Sequence, residues 1–145
     1  MEYVATQSFV EAYRAIPLLR SLNALYPDLL YWYTNTVMPG LVLGNDVLLL
    51  AKEGDRTVGL ALGKRTASER KLRCVRVLPD AQNRGVGLRL VERMFDQLET
   101  ETPHCTVAEE MLGLYSRPFV NRYGFRLNAV EKGLYRPGKL EYVFN

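Results

Sequence analysis

The chain is poor in the side chains that metal and redox sites use. It has one histidine, His104, and two cysteines, Cys74 and Cys105. That set is too small for a structural zinc site, which needs four ligands of this kind, and no metal is expected. A nucleophilic Cys–His pair is unexpected as well, because the neighbours His104 and Cys105 point to opposite faces of a strand. Both cysteines sit in apolar runs and read as reduced, small core residues. An excess of one charge is also missing. The net charge of +3 is too small to argue for nucleic acid, and the densest basic pairs are Lys64-Arg65 and Arg70-Lys71. The uncharged stretch from Leu29 to Asn45 is interrupted by Asn35, Pro39, Gly40 and Gly44, which excludes a membrane span. Met1-Glu2-Tyr3-Val4 lacks the basic-then-apolar pattern of a secretory signal. No repeat, low-complexity segment or linker is present, so the expectation is a cytoplasmic protein.

What is present suits one ordinary globular domain over residues 1–145. The content is 48% hydrophobic and 24% charged, and the length supports a single sizeable core. Glu2 to Thr6 reads as a first strand. Ser8 with Glu11 forms a capping-box signature for a helix, which Pro17 interrupts and restarts as a second piece to about Tyr26. Pro27-Asp28 opens a further helix, Leu29 to about Val37, that is expected to stop before Pro39-Gly40. Tyr13, Tyr26, Tyr31, Trp32 and Tyr33 crowd this region and read mainly as a packing face. Val47–Lys52 and Arg56–Lys64 form a hairpin around Glu53-Gly54-Asp55. Lys71–Leu78 is the next strand and Thr106-Val107-Ala108 a short buried one. Met111 to about Tyr123 is a final helix kinked at Pro118. Phe125–Arg136 and Lys139–Phe144 close the chain as a hairpin turned at Pro137-Gly138.

The stretch from Val75 to Leu88 organises the rest. A β-branched strand runs through Pro79-Asp80 and a glycine-spaced loop into a helix whose apolar residues include Leu88, Val91, Phe95 and Leu98. Unpaired N–H groups at that helix start, together with its dipole, make a cradle for phosphate. Gly85 and Gly87 leave the approach open.

Gln82-Asn83-Arg84-Gly85-Val86-Gly87 resembles the Gln/Arg-x-x-Gly-x-Gly/Ala loop that binds acyl-CoA in the GNAT N-acetyltransferase superfamily. Val75-Arg76-Val77-x-Pro resembles that family's fourth strand, and Gly124-Phe125 the Gly-Phe that ends its last helix. The resemblance implies an α/β (α+β) fold: a mixed, mostly antiparallel sheet of six to seven strands, with about four flanking helices. A central parallel strand pair would splay apart at the acyl-CoA site. It implies acetyl-CoA as acyl-donor co-substrate, with the backbone of Val75, Arg76 and Val77 on the pantetheine. Gln82, Asn83, Arg84, Gly85, Val86, Gly87 and Leu88 would hold the pyrophosphate, and the aromatic helices would line the acceptor pocket.

The implied reaction is transfer of the acetyl group to a primary amine on a small molecule or peptide. The basic excess admits a charged tRNA as acceptor without favouring it, and an open strand edge suits a homodimer. Such transfer needs a base for the amine and an acid for the departing thiolate. The family's acidic tyrosine position, four residues before the glycine of Gly-Phe, is Val120 here. Lys71 and Arg73 stand where many members carry an acidic base, and Gly113 replaces a common asparagine. The remaining catalytic candidates are Glu109, Tyr115 and Tyr123, with Glu110 read rather as a helix-terminus charge. His104 lies at the amino end of its strand and is set aside as base. Those departures keep a second reading open, an acyl-CoA-binding or interaction module without turnover. A dinucleotide-binding enzyme is discarded, since the loop is not Gly-x-Gly-x-x-Gly.

Overall fold

Alternating burial along the strands places one apolar cluster on each face of a sheet. The computed structural model describes Met1–Asn145. Strands β1 (Glu2–Thr6), β2 (Asp46–Glu53), β3 (Arg56–Arg65) and β4 (Arg70–Val77) form an antiparallel sheet in that order. Strands β5 (Cys105–Ala108), β6 (Leu127–Lys132) and β7 (Leu140–Phe144) form a second antiparallel sheet in the order β5-β7-β6. The parallel link between them is one bridge, Lys71 with His104: Leu72 N–H donates to His104 O at 3.0 Å and His104 N–H to Arg70 O at 2.9 Å. Beyond that bridge β4 and β5 separate. This is the mixed, mostly antiparallel arrangement with a splayed central pair that the sequence led us to expect.

Helices α1 (Phe9–Arg14), α2 (Ile16–Leu19), α3 (Leu29–Trp32) and α4 (Met38–Leu43) cover one face. They bury Leu19, Tyr33 and Leu41 against Leu48, Leu50, Leu60 and Leu62. The long helix α5 (Val86–Leu98) covers the other face, where Leu90, Met94 and Leu98 are fully buried. That stripe advances in steps of four from Val86. Leu88 and Phe95 flank it rather than lead it, so the buried face is rotated from the sequence expectation. Close approach of α5 to β3 depends on Gly63, where a Cβ would come within 2.6 Å of Met94 Sδ.

The N-terminal helices depart from expectation in two places. The second piece ends at Leu19, with a 3₁₀ turn Arg20–Leu22, and Tyr26 lies in the turn before α3. The third helix does not stop before Pro39-Gly40. It widens into a π turn at Tyr33–Val37, where Met38 N–H reaches back to Tyr33 O, and continues as α4. Side chains add bonds to carbonyls of the preceding turn: Thr34 Oγ1 donates to Leu30 O at 2.9 Å and Asn35 Nδ2 to Tyr31 O at 2.8 Å. Proline thus enters near the start of α4, where its missing N–H costs little. The same device recurs around Pro118: α6 (Leu112–Ser116) opens into a π turn, Arg117–Arg122, and Tyr123 N–H bonds to Pro118 O at 3.0 Å.

Candidate functional site

The loop after β4 leaves donors without protein partners. Gly85 caps α5 with φ +77°, which glycine adopts without strain, and supplies no capping side chain. The first backbone bond at this end runs from Arg89 N–H to Gly85 O at 3.0 Å, so the N–H groups of Val86, Gly87 and Leu88 precede the hydrogen-bonded turn. A Cβ at Gly85 would meet nothing within 4 Å. The loop itself is fixed from outside: Gln82 Nε2 donates to Val77 O at 3.0 Å and Arg84 pairs with Glu53 at 2.5 Å. Asn83 takes a left-handed φ of +60°. The result is an open turn whose unpaired N–H groups suit a pyrophosphate.

Along β4 the backbone directions alternate. Leu78 N–H donates to Val58 O at 2.8 Å, so Arg76 and Cys74 also turn their backbone groups toward β3. Val75 and Val77 turn theirs toward the gap left by β5. Tyr115 Oη accordingly donates to Val75 O at 3.1 Å from across that gap. The Arg76 guanidinium reaches away to Ser21 Oγ at 2.7 Å.

The splay opens a cavity of about 400 Å³. Of its 22 lining residues 16 are hydrophobic, so an apolar body suits it better than a polyol or a nucleic acid backbone. Tyr26, Tyr31 and Trp32 form its wall from the N-terminal helices, and Tyr115 and Phe119 its wall from α6 and the π turn. Tyr135, from the β6–β7 loop, meets Tyr26 edge-on at 5.8 Å and closes the roof. Trp32 is held by Arg73, whose guanidinium lies 5.2 Å from the ring centroid and pairs with the buried Asp46 at 3.1 Å. Of the aromatics read as packing residues, Tyr33 is fully buried with its hydroxyl on Ala12 O at 2.6 Å, whereas Tyr13 is exposed.

The sequence candidates fall in different places. Tyr115 lines the cavity; burial, reinforced by the nearby Cys74, pushes its hydroxyl up to about 12, so it is protonated at neutral pH. Glu109 lies outside the lining and accepts from Leu140 N–H at 3.4 Å, with Lys139 Nζ at 3.8 Å. Glu110 makes a two-pronged pair with Arg136 at 2.9 and 2.7 Å, which holds its carboxyl down at about 2. Tyr123 turns to the α5 side, its hydroxyl 3.1 Å from Glu92 Oε1 and 3.4 Å from Leu88 O. Val120 is half-exposed. His104 borders the cavity at the closed end of the splay, where burial and Lys71 lower its pKa. Cys74 also borders the cavity, and burial pushes its thiol up to about 12, which suits a packing role.

One residue was missed by the sequence reading. Glu141 on β7 is 1% exposed and neither carboxylate oxygen has a hydrogen-bond partner. In the alternating apolar run Leu140–Phe144 it reads as the outward polar residue; its burial depends on the N-terminal helices and the β6–β7 loop, which that run does not reveal.

The family profile described as "Acetyltransferase (GNAT) domain" matches residues 35–133. The chain belongs to the GNAT acetyltransferase family. Solved structures agree on the fold. A GNAT-family protein from Desulfovibrio desulfuricans superposes with a TM-score of 0.77 at 19% identity, covering 99% of this chain and 96% of that one. An aminoglycoside 6'-N-acetyltransferase complexed with coenzyme A gives 0.72 at 14% identity, covering 99% and 95%. The ribosomal-protein-S18-alanine N-acetyltransferase from Escherichia coli gives 0.70 at 14% identity, covering 99% and 92%. Comparison with curated protein sequences gives no match. No helix is long and apolar enough to cross a membrane.

Proposed function

We propose that this GNAT domain is an acetyl-CoA-dependent N-acetyltransferase whose acceptor is a primary amine carried on an apolar, partly aromatic body. The open cradle at Gly85–Leu88, continuous with the free edge of β4, is the observation that carries the reading. The N–H groups of Val86, Gly87 and Leu88 take the pyrophosphate, and the outward N–H groups of Val75 and Val77 the pantetheine, since the Val75 and Val77 carbonyls already accept from Tyr115 and Gln82. The aromatic cavity beyond Val75 receives the acceptor. Holding the amine against the thioester there removes a large part of the entropic barrier before any proton moves. Tyr115, protonated and beside Val75, supplies the proton that the departing thiolate takes up.

Two measurements test this. Isothermal titration with acetyl-CoA is expected to show saturable binding. Thiol release is expected to be faster with 2-phenylethylamine than with an aminoglycoside. No acetyl-CoA binding would sink the reading; binding with no turnover on any primary amine would leave an acyl-CoA-binding module instead.

A further inference from the structure

Strand β7 alternates its side chains between two environments. Phe144 and Tyr142 face the α5 side, Phe144 stacking edge-on with Phe119 at 6.0 Å. Glu141 therefore faces the opposite way, on the face shared by its cross-strand partner Ala108 and by Thr106; those two border the cavity, and Glu141 itself lies behind that lining. Tyr26 approaches the same spot from the N-terminal helices. Its hydroxyl lies beside the Ala108 amide and is held protonated by burial and by the Glu141 charge. Both oxygens of Glu141 are buried without a partner, a condition that native interiors rarely leave unanswered. Arg136, the nearest cation, spends its guanidinium tips on Glu110 and makes no ion pair with Glu141.

We propose that Glu141 is the proton acceptor for the amine, reached from the cavity through water held between its carboxylate and the Tyr26 hydroxyl. This rests on the acetyltransferase reading. An N–H bond of the acceptor ammonium breaks and its proton passes to the Glu141 carboxylate. The freed nitrogen lone pair forms the N–C bond as the C–S bond of the thioester breaks. Tyr115 protonates the departing thiolate and is restored by the second nitrogen proton, and Glu141 returns its own proton to solvent. The group suits this task because burial, with Glu110 and Glu109 adding to it and Arg136 opposing, holds its carboxyl at about 7. The other charged or titratable groups around it are Tyr26, Tyr135 beside Tyr26, Lys139 near Glu109 and Glu131 opposite on β6.

The test uses the full chain with acetyl-CoA and 2-phenylethylamine. In the wild type kcat/KM is expected to rise with pH through a limb near 7. Glu141→Gln is expected to lower kcat/KM at neutral pH by about a hundredfold or more, to lose that limb, and to bind CoA as the wild type does. Glu141→Asp is expected to keep the limb at reduced rate. A Glu141→Gln enzyme with the wild-type limb would overturn the role of Glu141 and leave the acetyltransferase reading intact. A wild type without turnover would overturn both. Carbon-13 NMR of the wild-type carboxyl, with CoA bound, reads Glu141 without any variant. Titration near neutrality supports the role, and titration at the ordinary glutamate value overturns it.

Discussion

An aspartate at position 87 would add a Cβ that meets only Val77 Cγ2, at 3.7 Å, an ordinary contact. Its carboxylate would sit in the first turn of α5, where the helix dipole favours a negative charge by about 0.3–1 kcal/mol. Gly87→Asp is therefore expected to unfold at the same denaturant concentration as the wild type or slightly higher. The same carboxylate stands where the cradle would bring a pyrophosphate, so CoA affinity is expected to fall at least about tenfold, or 1.4 kcal/mol. Titration calorimetry beside urea unfolding checks both halves; unchanged CoA affinity would refute the cradle. Gly85 cannot make this separation. Its φ of +77° means that any side chain strains the fold, by roughly 1–2 kcal/mol, before a ligand is considered.

Local chemistry is legible at the scale of elements only where it is self-contained. Ser8, the α1 cap, accepts from Glu11 N–H at 3.3 Å as its spacing predicts. The strand–loop–helix at Val75–Leu88 could be read because glycine spacing and helix periodicity speak to neighbouring residues. The continuation through Pro39 could not, because it runs through a π turn in which Met38 N–H reaches back to Tyr33 O, and no residue spacing announces that widening. The orientation of α5 was misread for a related reason. Leu88 and Phe95 fit a helical face as well as Leu90 and Met94 do, and only the glycines of β3 decide which set is buried. Leu90→Ala is accordingly expected to cost about 2–5 kcal/mol, whereas Leu88→Ala, at the border of the stripe, should cost about half of that or less. Urea unfolding of the two variants checks the rotation, and equal losses would contradict it.

At the scale of the whole molecule, Glu141 joins three parts of the chain that have no common sequence signal. The N-terminal turn contributes Tyr26, β5 contributes Ala108, and the β6–β7 loop contributes Arg136 and Tyr135. Closing them over a carboxylate has a thermodynamic consequence apart from catalysis. The folded state holds this proton up to about 7, against an ordinary value of 4.5. Between those values the native state binds more protons than the unfolded chain, so this contribution is fully present below 4.5 and is lost as pH rises toward 7. Glu141→Gln, which carries no charge to bury, escapes that loss. The stability of the variant relative to the wild type is therefore expected to increase from pH 4 to pH 8, with a ceiling of about 3 kcal/mol. Glu110 depends on pH in the opposite sense, because Arg136 holds it down at about 2 and its contribution disappears only as pH falls below the ordinary value. Subtracting variant from wild type cancels His104 and the other groups that do not interact with Glu141, leaving Glu141 together with its coupling to Glu109, Glu110, Arg136 and Tyr26. Urea unfolding of the two proteins from pH 4 to 8 makes the comparison. Parallel curves would mean that the carboxylate is solvated and cannot be poised for proton transfer, whereas a divergence confined to the interval below 7 would establish a buried carboxylate whose proton the fold itself retains.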